Sequence, residues 1–236
     1  MRSLVVMAMF ASSLTYAAWN GYTETRDLEL SASGVDILEI DAGAGSILVT
    51  GVADSSDIVV KAIIRVPEDD EDDAQQFIAE DLVLKLEKKR SKAKLDAYFE
   101  HGSRNSRESS AVDIEVSIPQ GLEIFVDDGS GSITIENVQS EVEVDDGSGS
   151  IEISGATSVI VDDGSGSVMI ANVSGDVEVE DGSGDIEVRA VGGTVTIDDG
   201  SGGIDVRDVE QDLDIVDDGS GSVHIADIRG TITRDD

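Results

Sequence analysis

Asp127-Asp128-Gly129-Ser130-Gly131-Ser132-Ile133-Thr134-Ile135 is the stretch that decides the fold. It recurs with little change as Asp145–Ile153, Asp162–Ile170, Glu180–Val188, Asp198–Val206 and Asp217–Ile225. The first glycines are Gly129, Gly147, Gly164, Gly182, Gly200 and Gly219, at spacings of 18, 17, 18, 18 and 19. A looser copy lies upstream at Asp41-Ala42-Gly43-Ala44-Gly45-Ser46-Ile47-Leu48-Val49. A fixed period of this length marks units that bury a face only by stacking on one another.

Each unit holds two apolar–polar–apolar triplets, such as Val142-Glu143-Val144 and Ile151-Glu152-Ile153. Strict alternation is the period of a half-buried strand, not of a helix. A third apolar position follows at Val138, Ala156, Val173, Val191, Val209 and Ile228, so each coil offers about five inward side chains. The intervening Gly-Ser-Gly permits positive φ at a turn. These features predict an all-β chain. It is a single-stranded, parallel β-helix-like β-solenoid with coils of about 18 residues. Six coils at a strand spacing of about 4.8 Å span roughly 29 Å. A β-sandwich of hairpins is the competing architecture. Near-constant unit length and one side-chain type at each repeat position disfavour it.

The flanks divide the rest. Residues 1–17 read as a signal peptide: a positive Met1-Arg2, an apolar Leu4–Phe10, and small residues in Thr15-Tyr16-Ala17-Ala18 for cleavage after Ala17 or Ala18. The apolar run is too short to span a membrane, and the segment has no cysteine for a lipid anchor. Residues 18–66 hold N-terminal strands and a first coil. Residues 67–112 form a small helix and β-hairpin insertion. Its helix covers Ala74–Asp81, with Phe77 and Ile78 on one side, and its strands are Leu82–Leu86 and Ala93–Phe99. Residues 113–236 form the acidic repeat solenoid.

Charge narrows the function. The chain has 236 residues, 51 of them acidic and 16 basic, with no cysteine. A net charge of −35 excludes nucleic acid, which needs clustered Lys and Arg. Residues 122–236 carry 29 acidic residues, four arginines and no lysine. The hairpin is locally basic, with Lys85, Lys88, Lys89, Arg90, Lys92 and Lys94. Either these are solvated or they dock on an acidic surface, the chain's own or a neighbour's.

The order of features resembles a known bacterial family. An apparent leader, an early D-x-G-x-G-x-I copy, a helix-and-hairpin excursion and the entry Val116-Ser117-Ile118-Pro119-Gln120-Gly121-Leu122 precede tandem G-S-G-x-I-x-V coils. This resembles the exported "putative adhesin" family of β-strand-repeat (β-solenoid) domains of unknown function. The resemblance runs from about Asp36 onward and brings no catalytic motif. It implies surface attachment.

The candidate sites are the Asp-Asp turns. Stacking places Asp127, Asp145, Asp162, Asp198 and Asp217 in one column with Glu180. It places Asp128, Asp146, Asp163, Asp181, Asp199 and Asp218 in a second. Carboxylates about 4.8 Å apart repel by roughly 0.9 kcal/mol in bulk water, or about 4–5 kcal/mol per column before screening. Local hydrogen bonds from an Asx-turn or a backbone nest offer one offset. Calcium offers another, because it favours carboxylate oxygens. Calcium-binding β-rolls share the period but bind at both turns of a coil through a sixth-position Asp. Here one turn per coil is glycine-rich, and that position is filled only by Asp185.

Catalysis lacks support in the sequence. The two histidines, His101 and His224, suggest no nucleophile–base pair, and the carboxylate pairs recur in every coil as structural features do. Phe125 is the last aromatic, so a sugar-stacking platform on the solenoid is disfavoured; it is expected to pack beneath the hairpin. The expectation is a non-enzymatic exported module, structural or adhesin-like, in the periplasm or at the cell surface. Its partner would be a protein or an envelope component, with no nucleic acid, membrane span, lipid anchor or cofactor. The alternative is a calcium-binding, β-roll-like envelope protein.

Overall fold

The triplets of the repeat form strands in pairs, one before and one after each Gly-Ser-Gly turn. The computed structural model describes residues 21–100 and 109–235. The expected signal peptide, residues 1–17, lies outside them.

The chain begins with β1 (Tyr22–Ser31), β2 (Ile37–Ala44), β3 (Ile47–Val52) and β4 (Asp57–Val66). Helix α1 (Glu71–Asp81) leads into the hairpin β5 (Leu82–Lys89) and β6 (Lys92–Phe99). Strands β7 (Ala111–Pro119) and β8 (Glu123–Glu136) enter the repeats. The coils then supply β9 (Glu141–Asp146) and β10 (Gly149–Ser154), β11 (Ser158–Asp163) and β12 (Gly166–Val173), and β13 (Val177–Asp181) and β14 (Ile186–Val191). They end with β15 (Val195–Asp199) and β16 (Ile204–Val209), β17 (Leu213–Asp217) and β18 (Val223–Ile228), and β19 (Ile232–Arg234).

Two sheets result. The entry sheet, before the glycine turns, stacks β8, β9, β11, β13, β15, β17 and β19 in parallel. The exit sheet stacks β8, β10, β12, β14, β16 and β18, also in parallel. Strand β8 runs through both. Each coil lies in register on the next, so Val142 sits on Val159 and Ile151 on Val168. The five inward positions are filled as the alternation predicts. Val142, Val144, Ile151, Ile153 and Ala156 are all buried, and so are their equivalents through Ile215.

The turn glycines set how closely coils approach. Gly149, Gly166, Gly184 and Gly202 adopt φ between 152° and 155°. A Cβ on any of them would lie 1.4–1.5 Å from the carbonyl oxygen of the glycine one coil earlier. No side chain fits there. The spacing of 19 before the last coil appears as a bulge between Ile197 and Asp198, with Val216 extruded to solvent. At the opposite corner Asn137, Asn172, Ala190, Asp208 and Asp227 hold φ near 60°. Asn and Asp tolerate that region; alanine does not.

The N-terminal end is built differently. The upstream copy is a true coil: β2 and β3 lie parallel to the two halves of β8, with Asp41 on Asp127 and Ile47 on Ile133. On its other side lie β6 and β7, with Ile37 on Lys92 and Ile47 on Ile114. The coil of Ile37–Val52 is thus sandwiched between two later segments. Beyond them β5 pairs antiparallel with β6, and β4 and β1 extend the exit sheet antiparallel from β7. Helix α1 is capped by Asp70, which accepts from the amides of Asp72 and Asp73. It buries Ala74, Phe77 and Ile78, and the Phe77 ring stacks on Phe99 at 5.1 Å. Buried Asp113 ties the corner, accepting from Ser46 N at 2.8 Å and Ser46 Oγ at 3.0 Å and pairing with Arg65 at 2.7 Å.

Phe125 does not pack beneath the hairpin. It lies half-buried on the outer face of the entry sheet, in register between Glu39 and Glu143. The hairpin widens that sheet beyond β2 instead of folding over it.

Two substitutions test the stacking. Gly166→Ala should cost about 3 kcal/mol or more, because only backbone movement relieves the clash. Ala190→Gly should gain about 0.5–1 kcal/mol by releasing an unfavourable φ. Thermal unfolding of the two variants beside the parent reads both signs.

Candidate functional site

Successive residues of a strand face opposite sides of a sheet. Each Asp-Asp pair therefore splits. Asp127, Asp145, Asp162, Asp198 and Asp217 point outward and are exposed, as is Glu180. Asp128, Asp146, Asp163, Asp181 and Asp199 point inward, with exposures of 3%, 2%, 1%, 4% and 0%. The two carboxylates of one turn do not converge on a common point.

The outer column forms an exposed acidic ridge on the entry sheet. It extends N-terminally through Asp41 to Asp96. There Lys94 closes it, 2.9 Å from Asp41 and 2.7 Å from Asp96. These partners hold the Lys94 ammonium well above its ordinary pKa. Lys92 pairs with Glu39, and Lys88 donates to the Ser33 carbonyl. These hairpin cations are thus engaged by the chain's own N-terminal coil. Strands β8, β9, β11, β13, β15 and β17 contain no lysine or arginine. Beyond Lys94 the ridge makes no ion pair among the described residues.

The inner column is a different object. In Asp146, Asp163, Asp181 and Asp199 one carboxylate oxygen, Oδ1, accepts from the amide of the serine two residues on, at 2.9–3.2 Å. This is the Asx-turn the sequence suggested. The second oxygen, Oδ2, is buried without a hydrogen-bond partner in all four; neither oxygen of Asp128 has one in good geometry, and the nearby Gly129 and Ser130 amides offset its burial only in part. Burial pushes the Asp128 carboxyl up to about 7, and the charge of Asp146 adds to it. Burial likewise raises Asp163 and Asp181 to about 6; the serine amides pull them back and neighbouring carboxylates push them up. Asp146 and Asp199 are raised for the same leading cause.

The remaining candidates have local roles. Asp185 accepts from the Gly203 amide of the next coil at 2.9 Å. Asp217 accepts from Gly219 N at 2.9 Å, and Asp218 pairs with Arg234. Among the described residues no three His, Asp or Glu side chains are grouped to hold a metal ion. His224 occupies the outward column of the exit sheet, in register with Asp205.

The inward face of the second aspartate was legible and was missed. Period-two alternation from Val144 already puts Asp146 on the core side.

The sequence profile of the Toastrack DUF4097 family matches residues 47–227, most of the chain. The chain belongs to this family. Among solved structures, it is similar to three others at low identity. One is a "putative adhesin" from Bacteroides fragilis, at 17% identity and a TM-score of 0.46, covering 91% of this chain and 97% of that one. Another is a "putative cell adhesion protein" from Clostridium sporogenes, at 13% and 0.38, covering 90% and 98%. The third is a "putative lipid binding protein" from Parabacteroides distasonis, at 16% and 0.46, covering 91% and 94%. No curated protein matches the chain. Within the described residues of this Toastrack chain, no helix is long and apolar enough to cross a membrane.

The outer ridge gives a salt-dependent stability. Exposed charges about 4.8 Å apart are screened once the Debye length falls toward a few ångströms. Raising salt from low to near-molar NaCl should stabilise the chain by about 1–2 kcal/mol. The gain should shrink in Asp145→Asn/Asp162→Asn, measured as melting temperature against NaCl concentration.

Proposed function

We propose that this chain is a non-enzymatic, exported interaction module of the cell envelope. Its contact surface is the outer face of the entry sheet, and its partner is a basic protein or envelope component. The observation that carries the reading is the acidic ridge from Asp127 to Asp198, which forms no ion pair among the described residues. Its carboxylates are held in register by the sheet and are not covered by any other element among the described residues.

A rigid row of like charges presents a large surface of one sign at no ordering cost. Such a surface speeds and orients association with a partner of opposite sign. The neighbouring outward column includes half-buried Phe125 and exposed Ile160, which add apolar contact beside the charge. Support for export comes from the N-terminal residues, whose charge, apolar run and small residues fit a cleaved leader. The repeat also argues against a single reaction centre. The same carboxylates recur in coil after coil, and the interior is filled by packed aliphatic side chains and the column of inward aspartates.

The test uses the purified chain and envelope fractions of its source organism. Binding should weaken as NaCl rises. It should fall at least tenfold in Asp145→Lys/Asp162→Lys/Glu180→Lys, with an unchanged far-ultraviolet spectrum. Undiminished binding by that folded variant rules out the ridge. N-terminal sequencing of protein recovered outside the cytoplasm should begin at Ala18 or Trp19; a retained Met1 rules out the cleaved leader.

A further inference from the structure

We infer that the inner aspartate column is a proton-binding ladder. The stacked carboxyls of Asp128, Asp146, Asp163, Asp181 and Asp199 take up protons on folding, and so make the folded chain more stable in mild acid than at neutral pH.

The geometry begins with register. Asp128 lies on Asp146, Asp146 on Asp163, Asp163 on Asp181 and Asp181 on Asp199, each one strand spacing from the next. At the N-terminal end the column stops against Ala42, in register with Asp128, and Ala97 beyond it. At the other end the chain supplies Asp218, which is partly exposed and paired with Arg234. Between these ends the five side chains are at least 96% buried, and each has an oxygen with no donor. The free Oδ2 of Asp163 faces the Cα of Gly166, and that of Asp181 faces Gly184. A Cβ built on either glycine would lie 3.2 Å from the oxygen.

Among the described residues, the charged groups acting on the five buried carboxyls are all acidic. Within the column each carboxyl faces those of the adjoining coils. From the same strands come the outer carboxylates Asp127, Asp145, Asp162 and Asp198, and Asp185 adds a further negative charge near Asp199. Across the interior, the exit sheet presents aliphatic side chains, such as Ile151, Ile153, Val168 and Ile170. Among the described residues, the cation paired with an aspartate at this level is Arg234, on Asp218 at the end.

An ionised carboxylate in such a place lacks both water and a counter-charge. A neutral carboxyl removes the charge and supplies an O–H donor, which the free oxygens otherwise lack. The serine amides favour the ionised form, but they reach only Oδ1 and leave the second oxygen bare.

The sign of the pH dependence follows. These carboxyls bind protons more tightly in the folded chain than in the unfolded one, where aspartate titrates near 4. The cost of ionising them is full above about pH 7, where Asp128 titrates, and is relieved stepwise as pH falls through about 6, where Asp163 and Asp181 do. Stability therefore rises on acidification and levels off near the unfolded value.

Two measurements on the full chain decide it. In the first, infrared or carbon NMR spectra are followed with pH. The signature of a neutral carboxylic acid should persist to about pH 6 in the parent and weaken in Asp163→Asn/Asp181→Asn. Complete ionisation by pH 5 overturns the ladder. In the second, melting temperature is followed from pH 8 to pH 5. It should climb by several degrees in the parent. Asp163→Asn/Asp181→Asn, which mimics the neutral form, should begin higher at pH 8 and climb less. The outward pair Asp162→Asn/Asp198→Asn should keep most of the parent's slope. An inner variant with an undiminished slope overturns the proposal. So does a rise in melting temperature with millimolar calcium that the inner variant abolishes, which would make the column a cation site.

Discussion

The coils of this protein touch backbone to backbone at one corner, and that contact governs the rest. The carbonyl oxygen of Gly149 occupies the space where a side chain on Gly166 would have to be, and the arrangement repeats at Gly184 and Gly202. Coils that meet so closely must have the same shape at the same place. Register then propagates along both sheets, and residues of one type fall into columns. Valine and isoleucine columns are favourable, because apolar area is buried at every step. Acidic columns are a cost that the same register imposes.

The protein carries that cost in two ways. Outside, the carboxylates remain hydrated, and water, salt and Lys94 of the hairpin oppose their repulsion. Lys94 ends the row where the repeats give way to the N-terminal strands. Inside, hydration is unavailable, and one backbone amide per side chain replaces part of it. Two adjacent, chemically identical residues such as Asp162 and Asp163 thus live in media of very different polarity. The sheet's pleat alone makes the difference.

Much of this was legible in the sequence. The alternation around each Gly-Ser-Gly fixed which aliphatic residues face inward, and the last spacing of 19 foreshadowed the bulge at Val216. The helix and the hairpin lie where Phe77 and the alternating Leu82–Leu86 suggested. Three features were harder. The inward aspartates obey the same alternation, yet a charged residue reads as surface because burying one is costly. Phe125 reads as a residue covered by the hairpin, but on its other side it lies in register with Glu39 of β2, a long-range pairing that the repeat does not reveal. The antiparallel β1, β4 and β7 follow from long-range pairing, on which an alternating run is silent.

The placement of the coil of Ile37–Val52 gives the chain a history that its regular repeats do not share. Each later coil can be laid on a finished neighbour, so growth there is local and sequential. The first coil has no finished neighbour. Leu38 must wait for Ala93 on one side and Ile124 on the other, two contacts of long sequence separation. The order of winding and the order of stacking therefore disagree at one end only. The segment made early becomes the middle layer of its end, and the template from which the solenoid extends is completed only after the chain has doubled back across it.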